Sequence, residues 1–364
     1  MKKIVVFSNM YPSKQHPTFG LFVKNQVDLL QSAGQAVDVI AIDNPDKGKL
    51  TALKKYMSWF LRSCIYMLKN RKQLALTHAH YAFPTGVLSL VGKKMLGIPY
   101  VVTVHGGDID KMAAKNVRIR NFTRKILQQG EAVIVVGEKL KNDVILRFGV
   151  PESKVHILSM GVNTTIFKPA AKKEVREELN LSIEEKVILF VGNVIKAKGL
   201  LELVEAFEMV KSTTPNAALY LVGSQKDTAF VEELQSFIQE RKVEGIHFKS
   251  AVGQADLARW MSAADIVALP SHHEGFGLVA LEAMATGTKV VATDVGGLSY
   301  LLSDGAGILV EPKNTVSLAE GLKKALDPTM LSINEVAVQQ RVTANSFDSI
   351  LQALLSIYHK AGKI

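Results

Sequence analysis

With 364 residues, 48% of them apolar and 21% charged, the chain can form two ordinary domains with separate cores, and it is neither disordered nor collagen-like. No apolar run approaches the ~18 residues of a spanning helix, and the one cysteine, Cys64, excludes an internal disulfide or a cysteine-based zinc site. The net charge of +10 is uneven: residues 1–165 carry 24 Lys and Arg against 10 Asp and Glu, and the remainder carries 20 against 24.

Ile4–Phe7 reads as a short buried strand, too short for the apolar core of a signal peptide. A reducing cytoplasm is therefore the expected setting. A polar loop with prolines and Gly20 follows, then a helix over 21–33. Residues 47–72 hold eight basic and no acidic residues, with Trp59, Phe60, Ile65, Tyr66, Met67 and Leu68 interleaved. Residues 111–125 add six more basic residues without an acid. Such a half attracts an anionic surface. No helix-turn-helix, finger or RNA-binding signature accompanies it, so nucleic acid is not expected. The expectation is a basic amphipathic helix on anionic lipid, at the inner face of the cell membrane. The plainer alternative is a solvated face whose aromatics fill the core.

Further strands are predicted at Val37–Ile42, Tyr100–Val104, Ala132–Val136 and Lys154–Leu158. The loop Gly161–Pro169 marks a boundary. The second half repeats the plan: strand Val187–Val191, glycine loop Gly192–Gly199, then Leu200, Leu203, Val204 and Phe207 at helical spacing. Strands at Leu219–Val222, Ile246–Phe248, Ile266–Leu269, Lys289–Ala292 and Gly307–Val310 complete it. The fold expected is α/β, with two Rossmann-like doubly wound domains facing a central cleft. Ligands of such sheets bind at the carboxyl ends of the strands.

Four loops carry residues suited to chemistry. Ser271–Gly287 follows a strand that ends at Pro270. Gly275 and Gly277 let backbone approach a ligand, and the amides of Phe276, Gly277 and Leu278 open a helix, which is an anion site. Glu274 precedes that helix and Glu282 lies about two turns into it, so two carboxylates that can accept sugar hydroxyls flank a phosphate site. Glu282 read as a surface charge fits poorly, since Leu281, Ala283, Met284 and Ala285 are apolar. In Gly192–Gly199, Lys198 stands just before a helix start, where a lysine can neutralise a diphosphate. His105, in Thr103–Asp108, ends a strand beside Gly106 and Gly107. In Pro17–Leu21, Gly20 admits a phosphate or acceptor group; its plainer reading is a helix-entry turn.

Glu274 and Glu282, set in Glu-Gly-Phe-Gly-Leu and Glu-Ala-Met-Ala, resemble the signature of the retaining glycosyltransferases of family 4, which have the two-Rossmann fold called GT-B. The chain resembles the polysaccharide- and teichuronic-acid-type members. His78-Ala-His80-Tyr81, Gly161-Val-Asn163 with Phe167 and Pro169, and Gly296-Gly297 extend the likeness, while Tyr300 stands where the family often has Glu. The resemblance implies an acceptor-binding domain of residues 1–165 with a C-terminal helix over 345–364, and a donor-binding domain of residues 166–344. It implies that Glu274 binds donor-sugar hydroxyls, Glu282 the ribose, and the amides of Phe276, Gly277 and Leu278 the diphosphate and sugar. Gly20 and Asn193 would also meet the donor, and His105 would orient the sugar. The family has Arg where Asn193 stands, and Lys196 is the other cation in reach of that role.

Asp108-Ile-Asp110 spells the Asp-x-Asp metal motif of another glycosyltransferase fold, against which the two Rossmann halves argue. The activity implied is metal-independent, retaining transfer of a hexose from a nucleotide diphosphate sugar, UDP favoured and GDP next, to a glycan or lipid-linked acceptor in cell-surface polysaccharide biosynthesis. No cofactor is expected. Two other classes stay open at this point: a sugar-nucleotide epimerase of the same fold, and a non-catalytic membrane- or protein-docking module.

Overall fold

A computed structural model of the chain describes residues 2–16, 19–45, 48–329 and 333–362. Pro17, Thr18 and Lys47 of the segments singled out above lie outside the described residues, as do residues 363 and 364. The chain divides into two compact units, Met1–Met160 with Phe347–Ile364, and Gly161–Ser346. The two ends of the second unit are tied together: the Val162 N–H donates to the Asn345 carbonyl at 2.9 Å, and Val162 bridges Ser346.

The first unit alternates strands and helices: β1 (Lys3–Ser8), α1 (Leu21–Ser32), β2 (Val37–Ala41), α2 (Lys49–Asn70), β3 (Leu74–His80), α3 (Gly86–Leu96), β4 (Tyr100–Val104), α4 (Val117–Gln129), β5 (Ala132–Val135), α5 (Glu138–Phe148) and β6 (Val155–Ile157). All strand pairs are parallel, in the order β2-β1-β3-β4-β5-β6. The second unit holds α6 (Lys172–Glu178), β7 (Lys186–Val191), α7 (Leu200–Lys211), β8 (Ala217–Val222), α8 (Thr228–Glu240), β9 (Ile246–Lys249), α9 (Gln254–Ala263), β10 (Ile266–Leu269), α10 (Leu278–Ala285), β11 (Lys289–Thr293), α11 (Gly297–Leu302), β12 (Ile308–Val310), α12 (Thr315–Leu326) and α13 (Glu335–Ala344). Its parallel sheet runs β12-β11-β10-β7-β8-β9. The chain then returns to the first unit as α14 (Phe347–Gly362).

Near-continuous apolar strands make both sheets, as expected for sheets covered on two faces. In the second unit Phe190, Leu219 and Leu221 pack under Phe207 of α7 and Leu322 of α12. In the first, Ile350, Leu354, Ile357 and Tyr358 of α14 share one core with Leu30 of α1 and with Val6, Leu76 and Ile134 of the sheet. Trp59 and Met67 of α2 share another with Phe7 and Leu88.

Residues 74–80 are not among the strands predicted from the sequence; Leu-Ala-Leu-Thr-His-Ala-His has no β-branched run and ends in an imidazole. Yet β3 is central, and each of its residues is buried. A buried polar group must find partners. His78 does: its Nδ1 lies 2.6 Å from the Tyr358 hydroxyl and its Nε2 2.8 Å from Thr103 Oγ1.

The basic segment folds as α2, anchored where the Trp59 indole N–H donates to the Ile40 carbonyl at 2.9 Å. The apolar side chains of the segment divide between the core and the surface. Trp59 and Met67 are buried, whereas Leu53, Met57, Leu61 and Leu68 are each more than half exposed, with Phe60 and Ile65 beside them. Spacings of three and four place these exposed residues on one helical face.

Candidate active site

Strand order reverses between β7 and β10 in the second unit. Connections leave such a switch point in opposite directions, so a crevice opens at the carboxyl ends of the two strands. The loops that enter it are Gly192–Gly199 and Ser271–Gly277. One backbone bond and one side-chain contact hold them: the His272 N–H donates to the Ala197 carbonyl at 3.0 Å, and His272 Nε2 lies 2.7 Å from Glu202 Oε1 of α7. A Cβ on Gly199 would overlap the Pro270 carbonyl oxygen. Glycine is therefore what lets the two loops touch.

Lys198 and Glu274 meet across this contact, with Nζ 2.7 Å from Oε2. Both side chains are a quarter exposed. The other Glu274 oxygen accepts the Gly275 N–H at 3.2 Å. The pair thus presents a cation and a carboxylate together in the crevice, while Lys196 is turned away to Glu233 of α8 at 3.1 Å. Asn193 is exposed on the same loop. The geometry places Lys198, the lysine singled out in the sequence, with Glu274, and takes Lys196 out of reach of the role left open at Asn193.

Gly277 enters α10 in the left-handed conformation, φ 93°, and no side chain caps the helix. Its first amides are therefore available to an anion, with the dipole in support. The backbone at Gly275, Phe276 and Gly277 is held from behind by the glycine pair. The Gly297 N–H donates to the Gly275 carbonyl at 3.1 Å, and a Cβ on Gly296 or Gly297 would overlap the carbonyl oxygen of Glu274 or Phe276. Leu278 begins α10, and Glu282 follows one turn later, not the two expected, because the helix starts only at Leu278; it lies between buried Leu281 and Ala283. Burial pushes the Glu282 carboxyl up to about 8.

In the first unit Gly20 enters α1 at φ 73°, against the Met10 backbone, where a Cβ would overlap the carbonyl. Its packing alone therefore calls for glycine. His105 follows β4 and meets three rings: Phe22 at 4.8 Å, Tyr81 at 4.7 Å and His80, stacked, at 5.4 Å between centroids. His80 Nδ1 lies 3.2 Å from His105 Nε2. Burial holds His105 down to about 3 and His80 well below its ordinary value. Both rings are neutral at pH 7, so His105 can hydrogen-bond a hydroxyl but brings no charge.

Asp108 is buried and accepts the Ala82 N–H at 2.8 Å and the His105 N–H at 3.2 Å. Burial pushes its carboxyl up to about 6 against these backbone donors. Asp110 instead pairs with Arg147 at 3.3 Å. The two carboxylates of Asp-x-Asp thus have different protein partners. Asp108 holds the His105 loop to the end of β3, a role that spacing does not reveal.

The residues 21–166 match the model of Glycosyltransferase Family 4, and residues 171–335 that of Glycosyl transferases group 1. The chain belongs to family 4, the group 1 glycosyltransferases. It is 27% identical over 360 residues to a Bacillus subtilis glycosyltransferase named for teichuronic acid biosynthesis, TuaC, with 88% of each chain covered. Sucrose-phosphate synthase of Thermosynechococcus elongatus has the same fold, with a TM-score of 0.81, 22% identity and 99% of each chain covered. Anabaena HepE, solved in complex with UDP and glucose, gives a TM-score of 0.77 at 19% identity over 97% of this chain and 98% of that one. The α/β architecture with two six-stranded parallel sheets is thus GT-B, and this family 4 chain is a glycosyltransferase.

Proposed function

We propose that this glycosyltransferase moves a hexose, with retention and without a metal, from a nucleoside diphosphate sugar to a glycan or lipid-linked acceptor of a cell-surface polysaccharide. UDP is the favoured nucleotide, consistent with the nucleotide carried by HepE. The observation that supports this most is the Lys198–Glu274 pair beside the uncapped start of α10. As the bond from the sugar C1 to the diphosphate oxygen breaks, charge grows on the leaving group. The Lys198 ammonium and the amides at Phe276, Gly277 and Leu278 are fixed donors for that charge. Glu274 accepts sugar hydroxyls and Glu282 those of the ribose, while His105 orients the sugar as a neutral partner. The acceptor oxygen bonds to C1 on the face the diphosphate leaves, and its proton passes to a departing phosphate oxygen.

Thermal shifts with UDP, GDP, ADP and TDP, each with and without Mg²⁺, test this reading. A ligand at 100 times its Kd adds about 2.7 kcal/mol, a rise of several degrees. One nucleotide is expected to give such a rise without Mg²⁺, and Glu282→Ala to lose it. Ribose hydroxyls favour the ionised carboxylate, so binding releases a proton from Glu282. The shift should therefore grow from pH 6 and level off above about 8. A flat panel from pH 6 to 9 would count against the donor site, and donor turnover that forms no glycoside with any acceptor would favour the epimerase.

The exposed face of α2 supports docking on anionic lipid. Its apolar side chains can enter the interface, and the segment 47–72 has no carboxylate to repel lipid phosphates. Leu61→Glu combined with Ile65→Glu is expected to cut co-sedimentation with phosphatidylglycerol vesicles by at least about tenfold, with stability unchanged. Equal binding of the native chain to neutral and anionic vesicles would contradict the docking.

A further inference from the structure

The ring of His105 has one polar partner among the described residues, and it is another histidine. His80 ends β3, is fully buried, and places its Nδ1 3.2 Å from His105 Nε2. The ring planes differ by 16° and the ring centres stand 5.4 Å apart, about as far as that contact allows. The two nitrogens therefore point at each other along the rings, as hydrogen-bonded nitrogens do. Phe22 and Tyr81 pack against His105, at 4.8 and 4.7 Å between centroids, and keep its ring in this orientation.

Neither ring is charged at pH 7, so each carries a single N–H on one of its two nitrogens. The bond between them allows two arrangements. In the first, His80 donates from Nδ1 and His105 keeps its own proton on Nδ1. In the second, His105 donates from Nε2 and His80 keeps its proton on Nε2. The outer nitrogens decide between them. His80 Nε2 is buried with no hydrogen-bond partner. The second arrangement would seal an N–H there with no acceptor, an orphan that folded proteins rarely hold. The first leaves only a lone pair in that place. His105 Nδ1 also lacks a partner among the described residues, but His105 is partly exposed and this nitrogen is not sealed in. A proton there can reach a ligand.

We infer that His80 is a positioning residue: it donates to His105 Nε2 and so holds His105 in the tautomer that presents an Nδ1–H donor to the sugar. The inference rests on the transferase reading above, in which His105 orients the sugar, and it adds the direction of that bond. The sugar accepts from His105 through an oxygen lone pair, and the proton of that hydroxyl stays free to bond elsewhere. One role is also barred. His105 Nε2 already accepts and Nδ1 already carries a proton, so the ring has no lone pair with which to take the proton of the attacking hydroxyl.

Nitrogen-15 NMR of the intact chain, labelled at histidine, tests the inference, because protonated and bare ring nitrogens resonate far apart. Signals lost in His105→Gln assign the ring. The native chain should show His105 protonated on Nδ1 alone. His80→Ala should move a measurable share of that proton to Nε2 and lower turnover about tenfold, the loss of one bond between neutral groups, while the nucleotide thermal shift persists. His80→Asn, whose amide can donate from close to the place of Nδ1, should restore both the tautomer and most of the turnover. A role in packing alone would leave the tautomer where it was. Native His105 protonated on Nε2, or exchanging between tautomers, would overturn the inference, as would Nδ1–H unchanged in His80→Ala. If the tautomer is as expected but no glycoside forms with any acceptor, the transferase reading fails, and the sugar's part here with it, while the bond from His80 stands.

Discussion

Replacing Lys198 by alanine is expected to lower turnover by about 10²–10³-fold, the usual loss when a fixed donor to developing charge is removed. The diphosphate carries more negative charge as it leaves than in the bound donor. The loss should thus fall on kcat more than on nucleotide affinity. A second effect adds to it. Lys198 holds Glu274 Oε2 at 2.7 Å, so the single variant leaves that carboxylate without its cation beside the proposed phosphate site. Lys198→Ala with Glu274→Ala should consequently lose less than the product of the two single losses. Initial rates of nucleoside diphosphate release measure all three proteins. Turnover of Lys198→Ala within threefold of the native rate would refute the role.

Gly296→Ala is expected to destabilise the second unit by about 4 kcal/mol, among the larger single-residue effects. The backbone there has φ 57° and ψ −131°, which suits glycine. The added methyl would also overlap the Glu274 carbonyl oxygen, backbone that cannot swing aside. Gly34→Ala separates strain from collision. Gly34 has φ 78° with open space around its Cβ position, so its loss should be only about 1 kcal/mol. Urea unfolding midpoints compare the two. Equal losses would mean that the close approach of residues 296–297 to the 274–277 loop contributes nothing.

Much of this architecture is legible in the residues. The apolar runs at Tyr100–Val104 and Ile266–Leu269 are the strands they look like, because parallel strands buried on both faces need little besides aliphatic side chains. Glycines before Leu200 and Leu278 mark the loops that reach the second switch point. β3 is illegible for the opposite reason. His78 and His80 make it read as polar, and the partner that allows His78 inside, Tyr358, is 280 residues away. Lys198 is legible from its place before a helix start, but its pairing with Glu274, 76 residues on, is not. Chemistry carried by local spacing can be read along the chain, and chemistry that depends on distant partners cannot.

The return of α14 bears on how the chain is made. Ile350, Leu354, Ile357 and Tyr358 complete the core over Val6, Leu76 and Ile134, yet all of Gly161–Ser346 is synthesised between them and the sheet they cover. The second unit is one uninterrupted stretch and can fold as it leaves the ribosome. The first unit must wait with an apolar flank uncovered until residues 347–362 emerge, which is the interval when chaperones would find it. Sequence order and folding order are thus reversed: the half that begins the chain is the half finished last.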